Sequence, residues 1–90
     1  MVEAHGLVFT PHTWTNGIGV AANLQCAAAS RIVPYVEFPY DPPNWLPEQR
    51  DFMFSEPIMI DAEGYVALPE KPGLGVEIDE EKAERYEKVG

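Results

Sequence analysis

Basic residues are scarce in this sequence. Six Lys and Arg stand against fifteen Asp and Glu, for a formal net charge of −9. Nucleic acid and anionic membrane surfaces are polyanions, so this balance speaks against both as partners. Cysteine is nearly missing. The one thiol, Cys26, cannot close an internal disulfide, so nothing staples the fold, and a reducing, cytoplasmic compartment is the expectation. No apolar run approaches the ~20 residues a membrane helix needs, and the first residues lack a basic-then-apolar leader pattern. Repeats and low-complexity tracts are missing as well. At 90 residues the chain has room for one small domain. What it does have is 46% apolar residues, enough for a core. It also has nine prolines and seven glycines, which predict short elements and much irregular chain.

Along the chain, residues 2–6 read as a helix end stopped by Gly6. Leu7-Val8-Phe9 is a continuous apolar run, the mark of a strand buried on both faces. Thr13 to Gly17 is loop chemistry, with Thr15 or Asn16 available as an N-cap. Residues 18–30 are alanine-rich and free of proline, which predicts a helix. It is apolar nearly all round, so it is either buried on more than one face or packs closely through small residues. Cys26 within it reads as a small core residue. Residues 32–38 predict a second strand, and strand, helix and strand together fit a parallel βαβ unit. Prolines then exclude regular structure as far as Trp45, with a helical turn or two over 48–54. Residues 57–60 and 64–68 predict a hairpin turning through Asp61, Ala62 and Glu63 to Gly64. Asp79 caps a last helix running from Glu80 to about Lys88.

A single βαβ unit with a hairpin is not a closed architecture. A two-stranded parallel sheet, apolar on both faces, needs neighbours on both edges. Either another copy supplies them, or these residues are a piece of a larger fold.

Three stretches point to the second answer. They are Thr10-Pro11-His12-Thr13-Trp14-Thr15-Asn16-Gly17-Ile18-Gly19 with Ala21-Ala22-Asn23-Leu24; Tyr35-Val36-Glu37-Phe38-Pro39-Tyr40-Asp41; and Glu56-Pro57-Ile58 through to Pro72-Gly73-Leu74-Gly75-Val76-Glu77. In this order they resemble the C-terminal end of the mandelate racemase and muconate lactonizing enzyme group of the enolase superfamily. The resemblance implies an α/β fold, the C-terminal piece of a (β/α)7β TIM-like barrel that is incomplete on its own. Residues 8–10 match the seventh strand, 18–30 the seventh helix and 35–38 the eighth strand. Residues 1–54 then hold the last barrel strands and helix with the loop that follows. Residues 55–90 form a hairpin and helix tail that packs toward the capping domain. The family's Mg²⁺ is bound by three carboxylates on the third, fourth and fifth strands, which this sequence does not include. Mg²⁺ thus belongs to the complete enzyme, and no cofactor is expected on this chain alone.

His12 follows directly on a predicted buried strand, where barrel enzymes place catalytic groups. Histidine as a residue type exchanges a proton near neutral pH. Read from the residues alone, it is either such a proton carrier or a loop histidine bonded to nearby backbone. The resemblance matches it to the family's acid–base histidine, acting on the proton α to a substrate carboxylate; there the histidine is paired with an Asp on the sixth strand. Glu37 stands in an apolar strand, where an unpaired buried charge is costly. It is either an exposed edge residue or an inward carboxylate sharing a side with Tyr35. The resemblance matches it to the acid that hydrogen-bonds the substrate's carboxylate. The two lie 25 residues apart, one βα repeat. Trp14 and Asn16 are candidates to line the same mouth and bind substrate, against a plain role in loop packing. No metal ligands are assigned.

The expectation is part of a Mg²⁺-dependent enzyme that abstracts the proton α to a carboxylate. It would be a lyase of the acid-sugar dehydratase type or an isomerase of the racemase type, acting on a small hydroxy acid or sugar acid and inactive as this chain alone. The alternative is a non-catalytic chain that self-associates. In either case the open edges call for a second copy or a complementing chain.

Overall fold

The computed structural model describes residues 1–86. A 3₁₀ turn, Glu3–His5, opens the chain and stops at Gly6, whose φ of +66° is left-handed. Helix α1 is Gly17–Ala28. Its start is set by Asn16, whose side-chain oxygen accepts from the N–H groups of Ile18 and Gly19 at 3.1 and 3.4 Å. Of the two available caps, Asn16 is the one used.

Gly17, Val20, Ala21 and Leu24 are the buried residues of α1. Their spacing of three, one and three is a single helical face. The helix is therefore not buried on several faces but packs closely through small residues. Cys26 is exposed, which corrects its reading as a core residue. It lies off the 17–20–21–24 face.

The core is small. Val20, Ala21, Leu24, Phe54 and Ile58 form it, with Val36, Phe38, Met53, Val66 and Val76 packed around them. Beside Phe54 lie two buried charges, Arg50 and Asp51. Gly17 rests directly on this group. A Cβ at that position would stand 2.2 Å from Asp51 Oδ1 and 2.6 Å from Phe54 Cε2. Neither neighbour has room to move, because both are buried. Gly17→Ala is thus expected to destabilise by about 1–3 kcal/mol through overpacking. Alanine's helix propensity returns at most about 1 kcal/mol of this. Urea unfolding reads the loss directly; an unchanged or higher midpoint would show that the close approach relaxes without cost.

The expected strands differ most from what is observed. Among the described residues there is no β-ladder, and pairing is reduced to isolated bridges. Residues 7–9 and 32–38 touch through one backbone bond, Phe9 N–H to Ile32 O at 2.8 Å. Leu7, Val8, Phe9 and Tyr35 are largely exposed. A parallel pair needs hydrogen-bonding neighbours along both edges, and the described residues offer none. The hairpin keeps its turn and little else. Asp61 N–H donates to Tyr65 O at 2.8 Å, and Asp61 Oδ1 accepts from Glu63 and Tyr65 N–H at 2.9 Å each. Gly64 takes φ +87°, and the flanking segments meet only at the Ile60–Val66 bridge.

Two short helices follow. Helix α2, Pro47–Arg50, is shorter than the predicted span of 48–54; its start is closed by Leu46 N–H donating to Gln49 Oε1 at 2.8 Å. Helix α3, Glu80–Glu84, is capped by Asp79 as expected, with Lys82 N–H donating to Asp79 Oδ1 at 3.1 Å. Lys88 lies outside the described residues. The later part of the chain is tied back at two places. Ser55 N–H donates to Glu77 O at 3.0 Å and Asp79 N–H to Met53 O at 2.7 Å. Gln25 of α1 reaches across to the carbonyls of Pro69 and Leu74 at 3.2 and 3.1 Å.

Candidate active site

The loop before α1 is pinned at several points. Pro11 and Thr13 are buried, while His12 between them is exposed. Asn23 of α1 donates from Nδ2 to the His12 carbonyl at 3.0 Å. This loop lies against Glu37. The Thr13 N–H donates to Glu37 Oε2 at 2.9 Å, and His12 Nδ1 lies 2.6 Å from the same oxygen. Two residues a βα repeat apart are thus brought into contact. Glu37 is neither unpaired nor fully sequestered; its side chain is 38% exposed, against 77% for His12.

The contact has chemical content. A neutral imidazole carries its proton on one nitrogen, and the hydrogen bond made there decides which. Placing the imidazole proton on Nδ1, toward Glu37, would leave the lone pair on Nε2. That nitrogen sits on a well-exposed ring and can take a proton. Glu37 Oε1 accepts no protein hydrogen bond among the described residues.

Trp14 and Asn16 are placed differently. Asn16 is occupied as the α1 cap. Trp14 is half exposed. A groove of about 480 Å³ between α1 and the 61–65 turn, with Leu24, Ala28, Tyr35 and Tyr65 in its walls, is lined by neither of them and by neither member of the His12–Glu37 couple. Among the described residues no three His, Cys, Asp or Glu side chains converge. The Mg²⁺ implied by the resemblance finds no such group among the described residues.

Sequence reasoning missed Arg50 and Asp51. Arg50 donates from Nε and Nη2 to the two oxygens of Asp51 at 2.8 and 2.7 Å, a bidentate fork with no exposed side-chain surface. The one available signal was two opposite charges side by side between Pro47 and Phe52-Met53-Phe54.

A family model described as enolase C-terminal domain-like matches residues 1–82. The chain belongs to that family. The resemblance read from residues 10–24, 35–41 and 56–77 is borne out at this level, and membership carries an α/β, barrel-related fold. A D-galactarolactone cycloisomerase from Agrobacterium fabrum is 33% identical over 83 residues. The match covers 88% of this chain and 22% of that relative, so the chain spans about a fifth of its length. No solved structure matches. Among the described residues, no helix of this family member is long and apolar enough to cross a membrane.

Proposed function

We propose that this chain supplies the acid–base couple of an enzyme that removes the proton α to a carboxylate. The observation that carries the reading is the 2.6 Å contact between His12 Nδ1 and Glu37 Oε2. In this reading residues 8–10 and 35–38 are the last two strands of a (β/α)7β barrel and α1 is the helix between them. The couple then stands at the strands' C-terminal ends, where barrel enzymes do their chemistry.

Glu37 holds the Nδ1–H and leaves Nε2 as the base. Nε2 takes the α-proton, and Glu37 steadies the imidazolium that results. From there the proton goes to a β-hydroxyl leaving as water, in a dehydratase; in a racemase the reprotonation comes from a second group on the opposite face of the carbon. Oε1 of Glu37 is left to share a proton with the substrate's carboxylate. The substrate class is a small hydroxy acid or sugar acid. The relative's name, D-galactarolactone cycloisomerase, keeps a sugar-acid lactone within it. Turnover needs the metal-binding strands, which residues 1–90 do not include.

The test is an assay on a panel of hydroxy acids, sugar acids and their lactones with Mg²⁺ present. The 90-residue chain is tried alone and mixed with a polypeptide carrying the first six βα units of a family barrel. Turnover is expected in the mixture only. A mixture that forms a stable complex yet turns over nothing on the panel would remove the enzymatic reading.

One observation favours a second reading, a non-catalytic chain that pairs with itself. Leu7, Val8 and Tyr35 are 59%, 71% and 76% exposed, and such a surface favours cover by another copy. The expected sedimentation mass at micromolar concentration is twice 10.1 kDa. A 10.1 kDa species that unfolds cooperatively would rule this pairing out.

A further inference from the structure

We infer that the buried Arg50–Asp51 pair is the positioning device for the His12–Glu37 couple. The couple does not hold itself. An exposed ion pair contributes little and pays side-chain entropy to form, and His12 is 77% exposed. Its geometry must come from the backbone segments that carry it. Both of those segments end on the buried fork.

Glu37 is followed by Phe38, whose ring centroid lies 4.5 Å from the Arg50 guanidinium carbon. Next comes Pro39, whose carbonyl accepts from Arg50 Nη1 at 3.3 Å. On the other side, the loop carrying His12 runs through buried Thr13 to Gly17. There the backbone stands so close to Asp51 that no Cβ fits. The fork is itself anchored to a third segment: Ile58 donates its N–H to Asp51 Oδ2 at 2.7 Å, and its carbonyl accepts from Arg50 Nη2. Arg50 is a positioning residue here, acting on His12 through Phe38, Pro39 and Glu37. This assignment rests on the functional reading above only in treating the couple as the acid–base site.

The experiment reads the couple without any turnover. Nitrogen NMR of the full chain with labelled histidine, at a pH where the imidazole is neutral, reports which ring nitrogen carries the proton. Loss of signals in His12→Asn separates His12 from His5. Wild type is expected to show the Nδ1–H form of His12. Glu37→Gln sets the scale for a lost partner; if it leaves His12 unchanged, the couple itself is refuted, and the functional reading with it. Arg50→Lys keeps the charge but loses the planar fork and the stacking on Phe38. In its folded form the Nδ1–H population, relative to the other tautomer, is expected to fall about fivefold toward the Glu37→Gln value, the worth of one exposed pair. Phe38→Leu keeps the half-buried bulk, removes the stack and should move the ratio in the same direction. A folded Arg50→Lys or Phe38→Leu chain with wild-type His12 signals overturns the assignment while leaving the couple intact. Failure of both variants to fold also overturns it, because the pair would then be a core element with no separable effect on the site.

Discussion

Arg50→Ala is expected to remove about 3–5 kcal/mol of stability, the usual result of breaking a buried pair from one side. Asp51 would keep a carboxylate in the interior with only the Ile58 N–H to face it. The carbonyls of Pro39 and Ile58 would each lose a donor, and Phe38 would lose the cation above its ring. Small domains have about 5 kcal/mol in total to lose, and among the described residues this one rests on a core of five buried apolar residues. Arg50→Ala is therefore expected to be largely unfolded at 25 °C. The pair Arg50→Met with Asp51→Leu should be milder than either single truncation, because it removes both charges and leaves neither stranded. Circular dichroism through a urea titration checks both. An Arg50→Ala midpoint close to that of wild type would show that water reaches the vacated site and hydrates Asp51.

His12→Asn is expected to lower kcat by about 10²–10⁴-fold in the assembled enzyme, the range for removing a positioned acid–base group. KM should hardly move, since the imidazole acts on the proton in flight and contributes little to ground-state binding. Stability should be unchanged as well, because the ring is mostly exposed and packs against nothing in the core. Glu37→Gln should cost less, roughly tenfold, since the amide still accepts from the Thr13 N–H and still has bulk beside Nδ1. Steady-state kinetics on the mixture defined above separates these outcomes. A His12→Asn mixture turning over within a factor of two of wild type would make His12 an ordinary loop histidine.

Some of this was written in the sequence and some was not, and the division follows the range of the forces. Asn16, Asp61 and Asp79 act on N–H groups within four residues of themselves, so the α1 start, the 61–64 turn and the α3 start were readable from neighbours alone. Gly6 stopping the first turn belongs with them. The strands at 7–9 and 35–38 failed for the opposite reason: a strand exists only where a neighbour answers its hydrogen bonds, and the described residues offer one such bond. Cys26 was misplaced because a helix apolar on every side gives no phase, and only tertiary packing chose the 17–20–21–24 face. His12 and Glu37 are in contact although neither stretch forms a strand here; the Thr13 N–H ties the His12 loop to Glu37. Arg50 and Asp51 left almost no trace, because charged residues are read as surface until a fold encloses them.

The exposed run at residues 7–9 bears on how copies of the chain behave toward one another. Leu7, Val8 and Phe9 invite contact between molecules, while a formal charge of −9 pushes whole molecules apart. The two act over different ranges: the charge is felt out to about 10 Å at 0.1 M salt, the apolar contact only on touching. Dispersion of the chain is thus an electrostatic barrier in front of a sticky surface. Raising the salt shortens the barrier, and lowering the pH toward the isoelectric point near 4.4 takes it down altogether. Both changes bring residues 7–9 of one molecule within reach of the next, without altering a single contact inside either.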